Sequence, residues 1–230
     1  MKYLRVSDGQ FGDDYPHAFG TAGMAQLAEF LDRSGGSMPM REALDGRPGV
    51  YLRHDIDHNI EHAVAFAAWE ASRGYRASFY VLHTAWYWND EAMLRRGVDR
   101  LLELGHEVGI HQDAVAEAWR QGFRSPLDGS VLPISDCHQA ADIFAAAVDR
   151  LRGFGVEVTG SATHGTALWN TDHVTNSFLW AAGWRPEDFG LVYEAYFLHR
   201  FASYISDNRG RWSSPFRLED GPGRDQVQIL

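Results

Sequence analysis

The chain has 230 residues, of which 45% are hydrophobic and 23% charged, and it carries a formal charge of −10. This balance excludes wholesale disorder, leaves enough length for one core of useful size, and argues against a general binder of nucleic acids or anionic membranes. No window approaches the roughly 18 continuous apolar residues of a bilayer span. The opening run Met1-Lys2-Tyr3-Leu4-Arg5-Val6-Ser7-Asp8 has no apolar stretch of signal-peptide type. The expectation is a soluble, cytoplasmic protein with neither membrane nor nucleic-acid partners. Cys137 stands alone, so an intramolecular disulfide or a multi-cysteine metal site is excluded.

Along the chain two periodicities alternate. Ala22 to Leu31 reads as a helix closed by Gly35-Gly36, and Gly49 to Arg53 as a short strand running into a charged cluster. Ile60 to Ser72 is Ala-rich and helical, and Ala77 to Leu82 has strand character. From Glu91 to Leu104 the residues Met93, Leu94, Val98, Leu101 and Leu102 share a helical face. Glu107 to His111 again resembles a strand, Ala140 to Phe154 is an amphipathic helix, and Val156 to Gly160 is strand-like. Beyond residue 165 the pattern weakens, with short candidate strands at Gly190–Tyr196 and Gln226–Leu230. The β-α-β order favours parallel strands with helices outside, in a single domain over 1–230. It does not separate a closed barrel from an open doubly wound sheet.

Three clusters fall at the C-terminal ends of these strands, where α/β folds place their sites. They are Arg53-His54-Asp55-Ile56-Asp57, then Gly105 through His111, then Ser161-Ala162-Thr163-His164-Gly165. Strand alternation puts Asp55 and Asp57 on one face and His54 on the other, and separates His106 from His111. Two carboxylates on one face, with imidazoles from neighbouring strands, suit a metal ion with open positions for water and substrate. Asp-x-Asp after a strand is nevertheless common, and spacing alone leaves the site a suggestion.

The run Leu52-Arg53-His54-Asp55-Ile56-Asp57, followed by a helix and Ala77-Ser78-Phe79-Tyr80-Val81, resembles the first motif of the polysaccharide deacetylase (NodB-like, carbohydrate esterase 4) family. Gly105-His106-Glu107-Val108-Gly109-Ile110-His111 resembles its second motif. The resemblance covers about 50–165. It implies a deformed (β/α) barrel of about seven parallel strands, and one divalent metal ion, usually Zn2+, with Co2+, Ni2+ or Fe2+ as alternatives. It also implies hydrolysis of an N-acetyl group from an amino sugar. Carried over residue by residue, Asp55 is the catalytic base, Asp57 the metal carboxylate and His111 the first metal histidine.

The chain departs from the family at three points. Ile56 separates the two aspartates, as in a divergent branch, and Val115 stands where the second motif continues to another histidine. His164 is the first choice for the third ligand, because it follows the next predicted strand and resembles a His-Gly motif of that branch. Asp113 is the second choice, and otherwise a substrate contact. The late leucine-histidine motif that supplies the general acid is also missing, with Gln226–Leu230 resembling the strand before it. Either the chain is cut short or another group donates the proton, for which His199 and His173 are weak substitutes.

Other residues have plainer readings beside functional ones. His106 reads as a structural hydrogen-bonding residue, His54 as packing or as support for Asp55, and His58 with His62 as a solvated helix face. Glu194, Asp207 and Trp169 are candidate substrate contacts, with a turn as the default for Ser206-Asp207-Asn208 and core packing the default for Trp169 and Trp212. The expected substrate is a small N-acylated molecule, a sugar, sugar nucleotide or natural-product precursor. Competing expectations are hydrolysis of another C–N bond, such as a cyclic amide or ureide, and a non-catalytic sugar-binding relative.

Overall fold

The computed structural model describes residues 20–122, 137–198, 202–208, 211–212 and 226–230. In chain order the elements are α1 (Thr21–Arg33), β1 (Gly49–Ile56), α2 (Ile60–Ser72), β2 (Ala77–Leu82), α3 (Glu91–Glu103), β3 (Glu107–Gln112), α4 (Ala114–Arg120) and α5 (His138–Gly153). There follow β4 (Gly160–Thr163), α6 (Leu168–Asp172), α7 (Phe178–Ala181), β5 (Tyr193–Glu194), α8 (Ala195–Leu198), β6 (Ala202–Ile205), β7 (Asp207–Asn208), β8 (Arg211–Trp212) and β9 (Gln226–Ile229).

The helices begin where side chains satisfy free backbone donors. Asn59 accepts from the N–H groups of Glu61 and His62 at the start of α2 (2.8 and 3.2 Å), and Asp90 accepts from Met93 N–H at the start of α3 (2.9 Å). α3 stops at Gly105, whose φ of +85° suits a residue without Cβ. Leu94, Val98 and Leu101 are buried on one side of α3.

Seven strands form one sheet in the order β5-β4-β3-β2-β1-β9-β6, every neighbouring pair parallel. The sheet curls into a half-barrel with helices, an α/β barrel-like fold. β7 and β8 form a separate antiparallel pair, so Asp207-Asn208 is strand where a turn is expected. The fourth strand also differs from expectation. It starts at Gly160, because Val158 N–H bonds back to Val156 C=O (3.1 Å) and the segment before it bends. Val156 and Val158 are buried while Glu157 is exposed, and this alternation imitates a strand.

Alternation divides the sheet into two faces. Val50, Leu52, Phe79, Val81, Val108 and Ile110 point outward into the helix-packed core. Tyr51, Tyr80, Ala162 and Tyr193 point inward and pack with Met40. A 3-10 helix, Met40–Asp45, closes the N-terminal end of the barrel: Met40 N–H donates to Ser78 Oγ (2.7 Å) and Arg41 N–H to Glu107 Oε2 (3.2 Å). The opposite end, at the C-termini of the strands, carries the histidines and aspartates.

Candidate metal centre

β1 delivers two carboxylates and β3 an imidazole to the same inner face. His111 Nε2 lies 3.4 Å from Asp57 Oδ1 and 3.6 Å from Asp55 Oδ2. The third group arrives from β4 through register: His111 pairs with Ala162, and His164 follows one residue past the strand end. Its Nδ1 is 3.0 Å from His111 Nε2 and 3.5 Å from Asp57 Oδ1.

This triangle has the dimensions of a ligand set. Donors at roughly 2.0–2.1 Å from a tetrahedral ion stand about 3.3 Å apart, and the three separations here are 3.0, 3.4 and 3.5 Å. Asp57 Oδ1 is buried without a hydrogen-bond partner. His111 Nδ1–H donates to the Ala162 carbonyl (2.9 Å), which leaves the Nε2 lone pair facing the other two donors. Asp57, His111 and His164 therefore form a cluster that could hold a metal ion.

Burial and neighbouring charge act in opposition at these groups. Burial pushes the Asp55 carboxyl up, but the Arg53 guanidinium, with His111 beside it, holds it below the ordinary carboxylate value. Burial lowers His111, yet Asp55 and Asp57 outweigh it and raise the imidazole. His164 is lowered by burial and by His111. Arg53 itself lies on the inner face with Asp55 and holds both carboxylate oxygens, Nε to Oδ1 at 2.9 Å and Nη2 to Oδ2 at 2.7 Å.

Comparison with protein-family models, with curated proteins and with solved structures finds no match to this chain. Among the described residues no helix is long and apolar enough to cross a membrane.

The remaining candidates take other places. Asp113 stays outside the donor triangle: it accepts from Arg120 Nη1 (2.8 Å), Thr84 Oγ1 (2.9 Å) and Asn176 Nδ2 (2.7 Å). Glu194 is buried and stays outside the donor triangle. It accepts from Thr163 Oγ1 (3.0 Å) and Tyr196 N–H (2.7 Å), and burial pushes its carboxyl up to about 7 against the opposing charge of Arg53. Its neighbour Tyr193 points inward, its hydroxyl 2.8 Å from both Tyr80 Oη and Glu107 Oε1. Glu194 lines a cavity of about 450 Å³ with Trp180, Trp184, Phe197 and Leu198. Trp169 is 53% exposed on α6, its ring 5.9 Å from that of His173, which has a φ of +56°. Asp207 lies in β7, but its side chain, that of Trp212 and all of His199 fall outside the described residues.

His54 and His106 face the helices. His54 Nε2 meets Glu70 Oε1 at 2.8 Å between the rings of Phe66 and Phe79. His106 accepts from Ala77 N–H (3.1 Å) and donates to Ala67 C=O (3.0 Å). His58 and His62 are exposed, and Trp86 Nε1–H donates to the His58 carbonyl (2.6 Å). Arg53 has a signal in the sequence, its spacing of two from Asp55 on one strand face. Asn176 and His83 have no local pattern that marks them. His83 Nε2 accepts from Asp113 N–H (2.8 Å), and burial lowers its pKa to about 4.

Proposed function

We propose that this chain is a metal-dependent hydrolase that removes an N-acyl group from a small amino sugar or related natural product. The observation that carries this reading is the convergence of Asp57, His111 and His164 at ligand spacing, with a fourth group, Asp55, beside them and held ionised by Arg53. The resemblance of residues 50–165 to polysaccharide deacetylases points to the same chemistry.

Asp57 Oδ1, His111 Nε2 and His164 Nδ1 would hold the ion. A divalent metal bound there supplies Lewis acidity, lowering the pKa of a water toward roughly 7 and polarising the amide carbonyl. Asp55 would accept the proton of the attacking water and return it to the amide nitrogen as the C–N bond breaks, releasing acetate and the amine. Arg53 occupies one lone pair on each of its oxygens, and each carboxylate oxygen retains another. The two parallel bonds to Arg53 fix the plane of the carboxylate, so its free lone pairs do not swing away from the triad. The hydrogen bond to Ala162 keeps His111 in the tautomer that presents Nε2. Trp169 and Trp86, 53% and 54% exposed, are aromatic surfaces on which a sugar ring would stack.

The test is elemental analysis of purified protein together with acetate release from N-acetyl amino sugars. Near one equivalent of metal in wild type, lost in Asp57→Ala, and acetate release abolished by chelation and restored by zinc are expected. Wild type that takes up no zinc, cobalt or nickel overturns the reading, and metal uptake with loss of a cyclic amide but no acetate would move it to the other C–N hydrolases.

A further inference from the structure

His164 lies just beyond the end of a four-residue strand, so its orientation depends on what grips the chain after Thr163. Its N–H donates to the Gln112 carbonyl (2.9 Å), and its own carbonyl accepts from Asn176 Nδ2 (2.8 Å). Asn176 sits between α6 and α7 and is fully buried. The same Nδ2 donates to Asp113 Oδ1 (2.7 Å), while Oδ1 of Asn176 accepts from Ala116 N–H (3.0 Å) in the first turn of α4. Its backbone carbonyl takes Gln112 Nε2 (3.1 Å). One side chain thus ties the end of β3, which carries His111, to the carbonyl of His164. Asp113 completes the frame, anchored by Arg120 and Thr84 through its other oxygen.

This arrangement explains two oddities. Asp113 stands at the N-cap of α4 yet makes no capping bond, because Asn176 and Gln112 Oε1 (3.2 Å to Ala114 N–H) satisfy that helix end instead. The buried carboxylate of Asp113, two residues after His111, lies outside the donor triangle because Asn176, Thr84 and Arg120 hold its oxygens elsewhere.

We infer that Asn176 is a positioning residue for the metal centre, holding His164 at ligand distance from His111 through the His164 carbonyl. The inference rests on the metal-dependent reading above. Each amide hydrogen of Asn176 has its own acceptor, so no other residue type of this size makes both bonds and also accepts from Ala116. Outer groups of this kind govern metal affinity by about 10- to 100-fold.

The experiment is cobalt binding followed by visible absorption, with thermal melting of the metal-free protein in parallel, on wild type, Asn176→Asp and Asn176→Asp/Asp113→Asn. The single substitution removes both donors and sets two carboxylates against each other, which can lower folding stability by itself. The double substitution exchanges donor and acceptor between positions 113 and 176, so their mutual bond and the acceptor for Ala116 N–H return. The His164 carbonyl stays without its donor. The expected result is that the double variant regains part of the stability lost in the single one, short of wild type because the Asp113–Arg120 ion pair is gone. It nevertheless binds cobalt about 10- to 100-fold more weakly than wild type, with an altered visible spectrum. Should Asn176→Asp fail to fold, the double variant carries the comparison. A double variant with the wild-type cobalt affinity and spectrum overturns the inference and leaves the metal reading standing. Wild type that binds no cobalt overturns both.

Discussion

Arg53 holds Asp55 through two parallel hydrogen bonds, 2.9 and 2.7 Å long, although the two residues are only two positions apart on one strand. Both side chains are on the inner face, and the guanidinium also lies over the Tyr80 ring at 5.6 Å. A half-buried aspartate is thereby kept ionised beside the imidazoles of His111 and His164.

Removing the carboxylate without removing its shape separates base from ligand. Asp55→Asn is expected to retain metal and to lower kcat by roughly 10²- to 10⁴-fold, the ordinary value of a general base. Arg53→Lys keeps the charge but loses the fork, so the Asp55 pKa rises toward its ordinary value. The ionised form then disappears at a higher pH, and the acid limb of the kcat/KM profile moves upward in pH. An unmoved limb would show that Arg53 does not tune Asp55.

Glu194 gives a stability prediction with a definite sign. Its carboxyl is raised from 4.5 to about 7, so between those values the folded state holds a proton that the unfolded state releases. Stability from this group falls as pH rises from about 4.5 and levels off above 7. Glu194→Gln removes the dependence, and its stability relative to wild type should improve over that window by on the order of 3 kcal/mol, at ~1.4 kcal/mol per unit. Urea melts at pH 5, 6, 7 and 8 measure the trend. Parallel curves at every pH would refute it.

Gly109 lies at a close approach between strands. A Cβ there would stand 2.6 Å from the Gly160 carbonyl oxygen and 2.7 Å from the Tyr80 ring. The backbone oxygen cannot rotate aside, so Gly109→Ala should cost about 1–3 kcal/mol of stability in denaturant unfolding. It should also weaken metal binding, because β3 and β4 carry the two histidines and would be pushed apart. Wild-type stability in the variant would count against the packing described.

Trp169 provides a check on substrate class. If the proposed sugar substrate stacks on Trp169, Trp169→Ala should raise KM by roughly tenfold with kcat little changed, the equivalent of ~1.4 kcal/mol. Equal loss with sugar and non-sugar amides would argue that the ring supports its neighbour His173 instead.

Much of this arrangement is local in origin and therefore legible along the chain. α2 and α3 follow from apolar spacing between a capping side chain and a glycine turn, and strand alternation puts His106 and His111 on opposite faces. The same alternation aligns Asp55 with Asp57, and it extends to Arg53. The two-period pattern also yields an α/β fold with parallel strands. Val156 and Val158 mislead for the same reason, since a bent segment crossing the core buries alternate residues as a strand does.

Tertiary structure decides what local pattern cannot reach. That His164 lies 3.0 Å from His111, 53 positions earlier, depends on the β3–β4 register, which Gly109 and Gly160 permit by letting Tyr80 and Tyr193 pack against the backbone. Glu194 stays out of the donor triangle because Thr163 Oγ1 and Tyr196 N–H take up its carboxylate. Asn176 bonds Asp113 across 63 positions. Periodicity is set by neighbours within a turn or a pleat, whereas register and polar partners are chosen by the packing of segments far apart in the chain.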